Sequence, residues 1–144
     1  LLYISNRQKR KVDFTLLRKA ASLTLKLEFV GRKEAGIVLV DSEEIRRLNK
    51  EFLGRDRATD VLAFPLGGEF ISTKDMVGEV VISVENAVRQ AEDLEHKLNE
   101  ELALLVIHGL LHLAGYRDND QGKRKQMQRK EEEILHKLGV SGII

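Results

Sequence analysis

One α/β-type domain of four strands and five helices is the fold that the sequence predicts, and three observations carry it. The chain has 144 residues, 42% of them hydrophobic, enough to bury roughly two-thirds of the unfolded surface around one core. Short apolar runs of strand length alternate with amphipathic stretches of helical period. No repeat, low-complexity tract or linker interrupts them, so residues 1–144 read as a single domain.

The elements follow in order. LLYIS opens as a short strand, and DFTLLRKAASLTLKLEF follows with apolar residues at 16, 17, 20, 23 and 27, a helical period with Asp13 as its N-cap. GIVLVD (36–41) is a continuous apolar strand, and DSEEIRRLNKEFL is a helix opened by an Asp-Ser cap with Glu43 and Glu44 in its first turn. VLAFPLGG (61–68) is a strand ended by the only proline and a glycine pair, and GEVVIS (78–83) follows after a loop of about ten residues. SVENAVRQAEDLEHKL is a helix capped by Ser83, NEELALLVIHGLLHLAG one capped by Asn99, and DQGKRKQMQRKEEEILHKLG a charged helix stopping at Gly139.

Composition narrows the chemistry. With no cysteine there is no disulfide, no thiolate ligand and no cysteine nucleophile, so a metal has only His, Asp and Glu to hold it. LLYISNRQKRK has neither an apolar signal core nor a cleavage site, and Leu at position 1 suggests that a short native beginning precedes it. The longest apolar run, Leu102 to Gly115, is about 14 residues and carries two histidines, short of the ~20 needed to cross a bilayer. A soluble cytoplasmic protein is expected, without membrane contact. Net charge is only +1, yet RQKRK (7–11) and KRKQMQRK (123–130) carry no acid. Such clusters meet phosphates or simply form solvated faces; the 5% aromatic content argues against extended stacking on single-stranded bases.

The stretch HGLLHLAGYRDND (108–120) holds the sharpest signal. His108 and His112 are spaced i, i+4, about 6 Å apart on one helix face, where two imidazoles can share an ion. Gly115 ends the helix, and Asp118 is placed to return as a third ligand, with Asp120 as the alternative if the turn is one residue longer. The order, two helical ligands, a turn glycine and a third ligand, is that of the metzincin pattern. Gly109 occupies the position where HExxH carries its general base. Its lack of charge favours phosphodiester over peptide chemistry, because an extra anion repels a substrate phosphate.

HGLLHLAGY (108–116) resembles the signature HGxLHLxGYDH of the YbeY endoribonucleases, a family of ribosomal RNA maturation factors. LNKEFLGRDRATDVLAFP (48–65) and GEVVISVENAVRQA (78–91) are similar to the family's other two motifs, so the resemblance runs in order over most of the chain. It implies a small α+β domain, a four-stranded mixed sheet packed with about five helices including a metzincin-like metal helix. It also implies one zinc ion per chain, a bacterial cytoplasmic location, and processing of the 3′ end of 16S rRNA with the small ribosomal subunit and a role in ribosome quality control. No nucleotide cofactor is expected.

Two positions depart from the family pattern. Its third histidine falls at Asp118, and two His with one carboxylate also describe an iron(II) site, so iron or nickel stand beside zinc. The arginine expected after Phe52 is Leu53; Arg55 is the nearest guanidinium for the scissile phosphate, followed by Arg57. Thr59 and Asp60 read as the end of a loop and the cap of a strand. Glu79 is a candidate proton acceptor in the cleft, or a solvent-facing strand residue. His96 and His136 are expected to be exposed. The reading is a metal-dependent, single-strand-specific endoribonuclease, with a metallopeptidase and a non-catalytic ribosome-assembly factor carrying a structural metal as the alternatives.

Overall fold

The computed structural model describes residues 2–31, 33–65 and 75–144. Strands are β1 (Leu2–Asn6), β2 (Glu34–Val40), β3 (Val61–Phe64) and β4 (Met76–Ser83). Helices are α1 (Thr15–Glu28), α2 (Ser42–Leu53), α3 (Val84–Asp93), α4 (Leu98–Leu113) and α5 (Gln121–Lys137). The expected Gly67–Gly68 stop lies outside the described residues. The sheet runs β1-β2-β4-β3, with β3 the antiparallel edge and the other pairs parallel. Four strands in a mixed sheet with five helices match the expected α+β architecture.

Both faces of the sheet are covered, which is why β2 is buried at every position from Ala35 to Val40. Ala35, Ile37 and Leu39 point into the larger core with Val80 and Ile82. Val38, Val40, Leu62 and Val81 point the other way, against Ile45 of α2. Helix α4 is apolar almost all round because it is central, packed on α1, α3, α5, β3 and β4. Its Leu102, Ile107, Leu110 and Leu111 are fully buried, each contributing about 1.5–3 kcal/mol by leaving water. Among the described residues no helix is long and apolar enough to cross a membrane.

Local capping explains most boundaries. Asp41, Ser83 and Asp120 each accept the N–H three residues on, from Glu44 at 2.8 Å, Asn86 at 3.3 Å and Lys123 at 2.8 Å. Three details differ from expectation. Asp13 accepts from Thr15 N at 2.9 Å, while Phe14 is the N-cap residue of α1. Helix α4 opens at Leu98, before Asn99, with the Lys97 N–H donating to Glu100 at 3.1 Å. Helix α3 stops at Asp93 because Glu95 turns to φ 58° and the His96 N–H returns to the Ala91 carbonyl at 2.8 Å. That turn folds His96 inward, leaving its side chain 9% exposed and 3.2 Å from the buried Glu101 carboxylate. His96 is therefore not an exposed residue, whereas His136 is exposed as expected.

Candidate metal centre

Helix α4 presents His108 and His112 one turn apart, with their Nε2 atoms 3.1 Å from each other. The chain then reverses at Gly115, whose φ of 104° a side chain would strain. The Gly115 N–H bonds the His112 carbonyl at 3.1 Å and the Tyr116 N–H the Leu111 carbonyl at 3.0 Å, a Schellman closure. Tyr116 is anchored by its hydroxyl, which donates to Glu28 at 2.6 Å. The reversal carries Asp118 back, its Oδ2 3.7 Å from His108 Nε2 and 3.5 Å from His112 Nε2.

The triangle of 3.1, 3.5 and 3.7 Å brackets the edge, about 3.3 Å, of a tetrahedron with bonds of ~2.0–2.1 Å. Among the described residues these three form the group of His and carboxylate side chains spaced to hold an ion. The donor set and its spacing fit a divalent metal ion. Asp120 is spent as the α5 cap and lies 3.8 Å from the Lys123 ammonium, so the alternative third ligand falls away.

Glu131 was hidden in the EEE run of α5, which reads as a solvated face. It is 5% exposed, and its Oε2 lies 2.7 Å from His108 Nδ1. A carboxylate there takes the Nδ1 proton of a neutral imidazole and leaves Nε2 free to accept an ion. The signal was helical period: Met127, Glu131, Ile134 and Leu135 form the buried stripe of α5, and a glutamate in an apolar stripe needs a partner.

The two imidazoles differ electrostatically. Burial works to lower His108, but the hydrogen bond and charge of Glu131, with Asp118 and Asp60 behind it, raise its pKa overall. Burial and the neighbouring His108 lower His112, against the opposing pull of Asp118. Asp60 stands at the head of β3, a strand that packs on α4. Its Oδ1 accepts from Val61 N at 2.8 Å, as a strand cap would, and its Oδ2 from Gln90 of α3 at 3.2 Å.

Gly109 has a packing reason. A Cβ there would lie 2.6 Å from Val80 Cγ1 and 3.0 Å from Cγ2, so position 109 points at the sheet. A glutamate at 109 has no room, and its absence reflects how closely α4 rides on β4 as much as any preference for phosphate.

The remaining expected residues separate. Glu79 is in register with Gly36 and Phe64, between Gly78 and Val80, and its Cγ lies 3.0 Å from a Cβ built on Gly36. Strand alternation puts it on the face of Val81 and α2, while its neighbour Val80 meets α4. Glu79 therefore does not join the histidines. Arg55 follows Gly54 on the exposed loop leading to Asp60, its N–H on the Asn49 carbonyl at 3.2 Å. It has no carboxylate partner among the described residues. Leu53, where the family pattern carries arginine, is 52% exposed, and Phe52 meets Phe64 edge-on at 5.6 Å.

Comparison with known proteins identifies the family. The profile of the family described as endoribonuclease YbeY matches residues 3–139. An endoribonuclease YbeY of Aquifex aeolicus is 41% identical over 133 residues, covering 91% of this chain and 87% of that one. Its counterpart in Syntrophus aciditrophicus is 40% identical over 140 residues, covering 94% and 88%. A solution structure of a Thermotoga maritima protein superposes with a TM-score of 0.62 at 30% identity, covering 96% of this chain and 91% of that one. With the match spanning nearly every described element and both histidines, this chain belongs to the endoribonuclease YbeY family.

Proposed function

We propose that the chain is a metal-dependent endoribonuclease that cuts single-stranded RNA, with the 3′ end of 16S rRNA as substrate, the small ribosomal subunit as partner, zinc as the ion and the cytoplasm as its place of action. The observation that carries the reading is the His108, His112 and Asp118 triangle backed by the buried Glu131, in a chain whose relatives are named endoribonucleases. When bound, a divalent ion supplies Lewis acidity toward a phosphoryl oxygen. His108 and His112 offer Nε2, Asp118 offers Oδ2, and Glu131 keeps the His108 proton on Nδ1.

Cations supply the rest. Arg117 stands beside the ligands, its guanidinium donating to the His112 and Tyr116 carbonyls at 3.3 and 3.0 Å. Exposed Arg124 and Lys125 follow on the first turns of α5. Arg55, on the loop that ends at Asp60, is the candidate to steady the scissile phosphate. A peptidase of this architecture needs a carboxylate after the first histidine, and position 109 has no space for one.

The test is cleavage of a labelled single-stranded RNA spanning an unprocessed 16S 3′ end by the zinc-loaded protein. His112→Ala should lower the rate at least about 100-fold while the fold persists by circular dichroism. Wild-type cleavage by that variant, or hydrolysis of casein that it abolishes, would overturn the proposal. Normal rRNA 3′ ends in cells carrying only His108→Ala would point instead to an assembly factor with a structural metal, the reading that Leu53 favours.

A further inference from the structure

The RQKRK segment plays no part in the metal centre, yet the fold gives it a defined place. Strands β1, β2 and β4 are parallel and end together at Asn6, Val40 and Ser83. The chain leaves β1 for α1 over the larger core and leaves the adjacent β2 for α2 over the opposite face. Open sheets take ligands in the crevice at the carboxyl ends of strands where connections diverge in this way. A crevice of about 570 Å³ opens there, bounded by Arg7, Lys9, Arg10, Asp41, Glu85 and Arg89.

Its acids are committed to the fold. Asp41 caps α2 through the Glu44 N–H, and Glu85 Oε1 accepts from Ser42 N at 3.0 Å. Glu44 holds Arg7 at 3.3 Å and Arg47 at 3.6 Å. Its other cations are not committed: Lys9, Arg10 and Arg89 are exposed, as is neighbouring Lys11, and none has a carboxylate partner among the described residues. Among the described residues Arg89 bonds only the Asn86 amide oxygen.

The loop is also held in shape. The Arg7 N–H extends the β1-β2 ladder to the Leu39 carbonyl at 2.8 Å. The Gln8 amide accepts from Arg10 N at 2.9 Å and donates to the Arg10 carbonyl at 2.6 Å and to Asn6 Oδ1 at 2.9 Å. Consecutive like charges carried on a backbone held in one geometry repel one another, and a polyanion relieves that repulsion without first having to order the loop backbone.

Helix α3 joins this crevice to the metal centre. Beside Arg89, Asn86 Nδ2 donates to the Thr59 carbonyl at 2.8 Å, and Gln90 holds Asp60 at the head of β3, the strand that packs on α4. We propose that Lys9, Arg10 and Arg89 form a second phosphate-binding subsite, which grips the RNA backbone away from the metal centre. The proposal rests on the reading that this chain acts on RNA.

The test uses the zinc-loaded protein, fluorescent 2′-O-methyl single-stranded RNAs of about 4 to 16 nucleotides for binding, and unmodified RNAs of the same sequences for cleavage. Each phosphate contact contributes about 0.7 to the slope of log K against log salt on single strands. Lys9→Gln/Arg10→Gln should therefore flatten the slope for the longest RNA by about 1.4 and Arg89→Gln by about 0.7, while cleavage of the shortest stays at the wild-type rate. Lys19→Gln, on the exposed side of α1, should leave the slope unchanged. Wild-type slopes in both test variants, or equal losses on short and long RNA, would overturn the subsite while cleavage upheld the function. If the wild-type protein neither binds nor cuts any of these RNAs, both readings fall.

Discussion

Replacing Gly109 by alanine tests why a glycine stands between the two metal-site histidines. An alanine Cβ would meet Val80 Cγ1 at 2.6 Å, Cγ2 at 3.0 Å and Cβ at 3.3 Å. Ordinary carbon contacts are about 3.5–4.0 Å, so the helix or the strand must yield by up to about 1 Å. Overpacking of this kind costs roughly 1–3 kcal/mol, and the gain in helix propensity returns about 1 kcal/mol. The net loss in the wild-type background is up to about 2 kcal/mol, or about 6 °C in Tm for a chain of this size. In a Val80→Ala background both Cγ atoms are gone, and the same substitution should stabilise by about 1 kcal/mol. Urea unfolding of the four proteins gives the coupling directly, expected to be at least about 1 kcal/mol. Stabilisation by Gly109→Ala in both backgrounds, with no coupling, would refute the packing argument and return the glycine to a purely chemical role.

The other predictions concern the polar partners. In the metal-free protein the raised pKa of His108 means that its protonated form, paired with Glu131, stabilises the fold. That contribution is full below the unfolded value of about 6.5 and is lost as pH rises through the folded one. Glu131→Gln should therefore destabilise the metal-free protein more at about pH 5.5 than at about pH 8.5 in thermal melts, and should weaken zinc binding about 10–100-fold by competition with a chelator. Asp118→Ala should release the metal in elemental analysis with little change in the Tm of the metal-free protein. Asp120→Ala should do the reverse, removing about 1 kcal/mol of α5 cap stability and leaving the metal in place. His96→Ala leaves the buried Glu101 side chain without this hydrogen-bond partner and should cost roughly 1–3 kcal/mol in urea unfolding, less when Glu101→Gln accompanies it.

Much of this molecule is local and was legible in the sequence. The nine elements, the Asp41 and Ser83 caps, the i, i+4 histidines and the Gly115 reversal all rest on periods and dihedral preferences within a few residues, whereas Asp120, read as an alternative ligand, is the α5 cap. Tertiary structure decided what depends on neighbours distant along the chain. Glu131 lies 23 residues from His108, and only the packing of α5 on α4 shows that it holds that ring. Glu79 shares a motif with Val80, but strand alternation sends the two to opposite faces of the sheet, and only the placement of α4 says which face is the site. Gly109 looked like a statement about substrate until Val80 appeared beneath it. Sequence period fixes which residues share a face, whereas the partner of that face is chosen by burial across the whole chain.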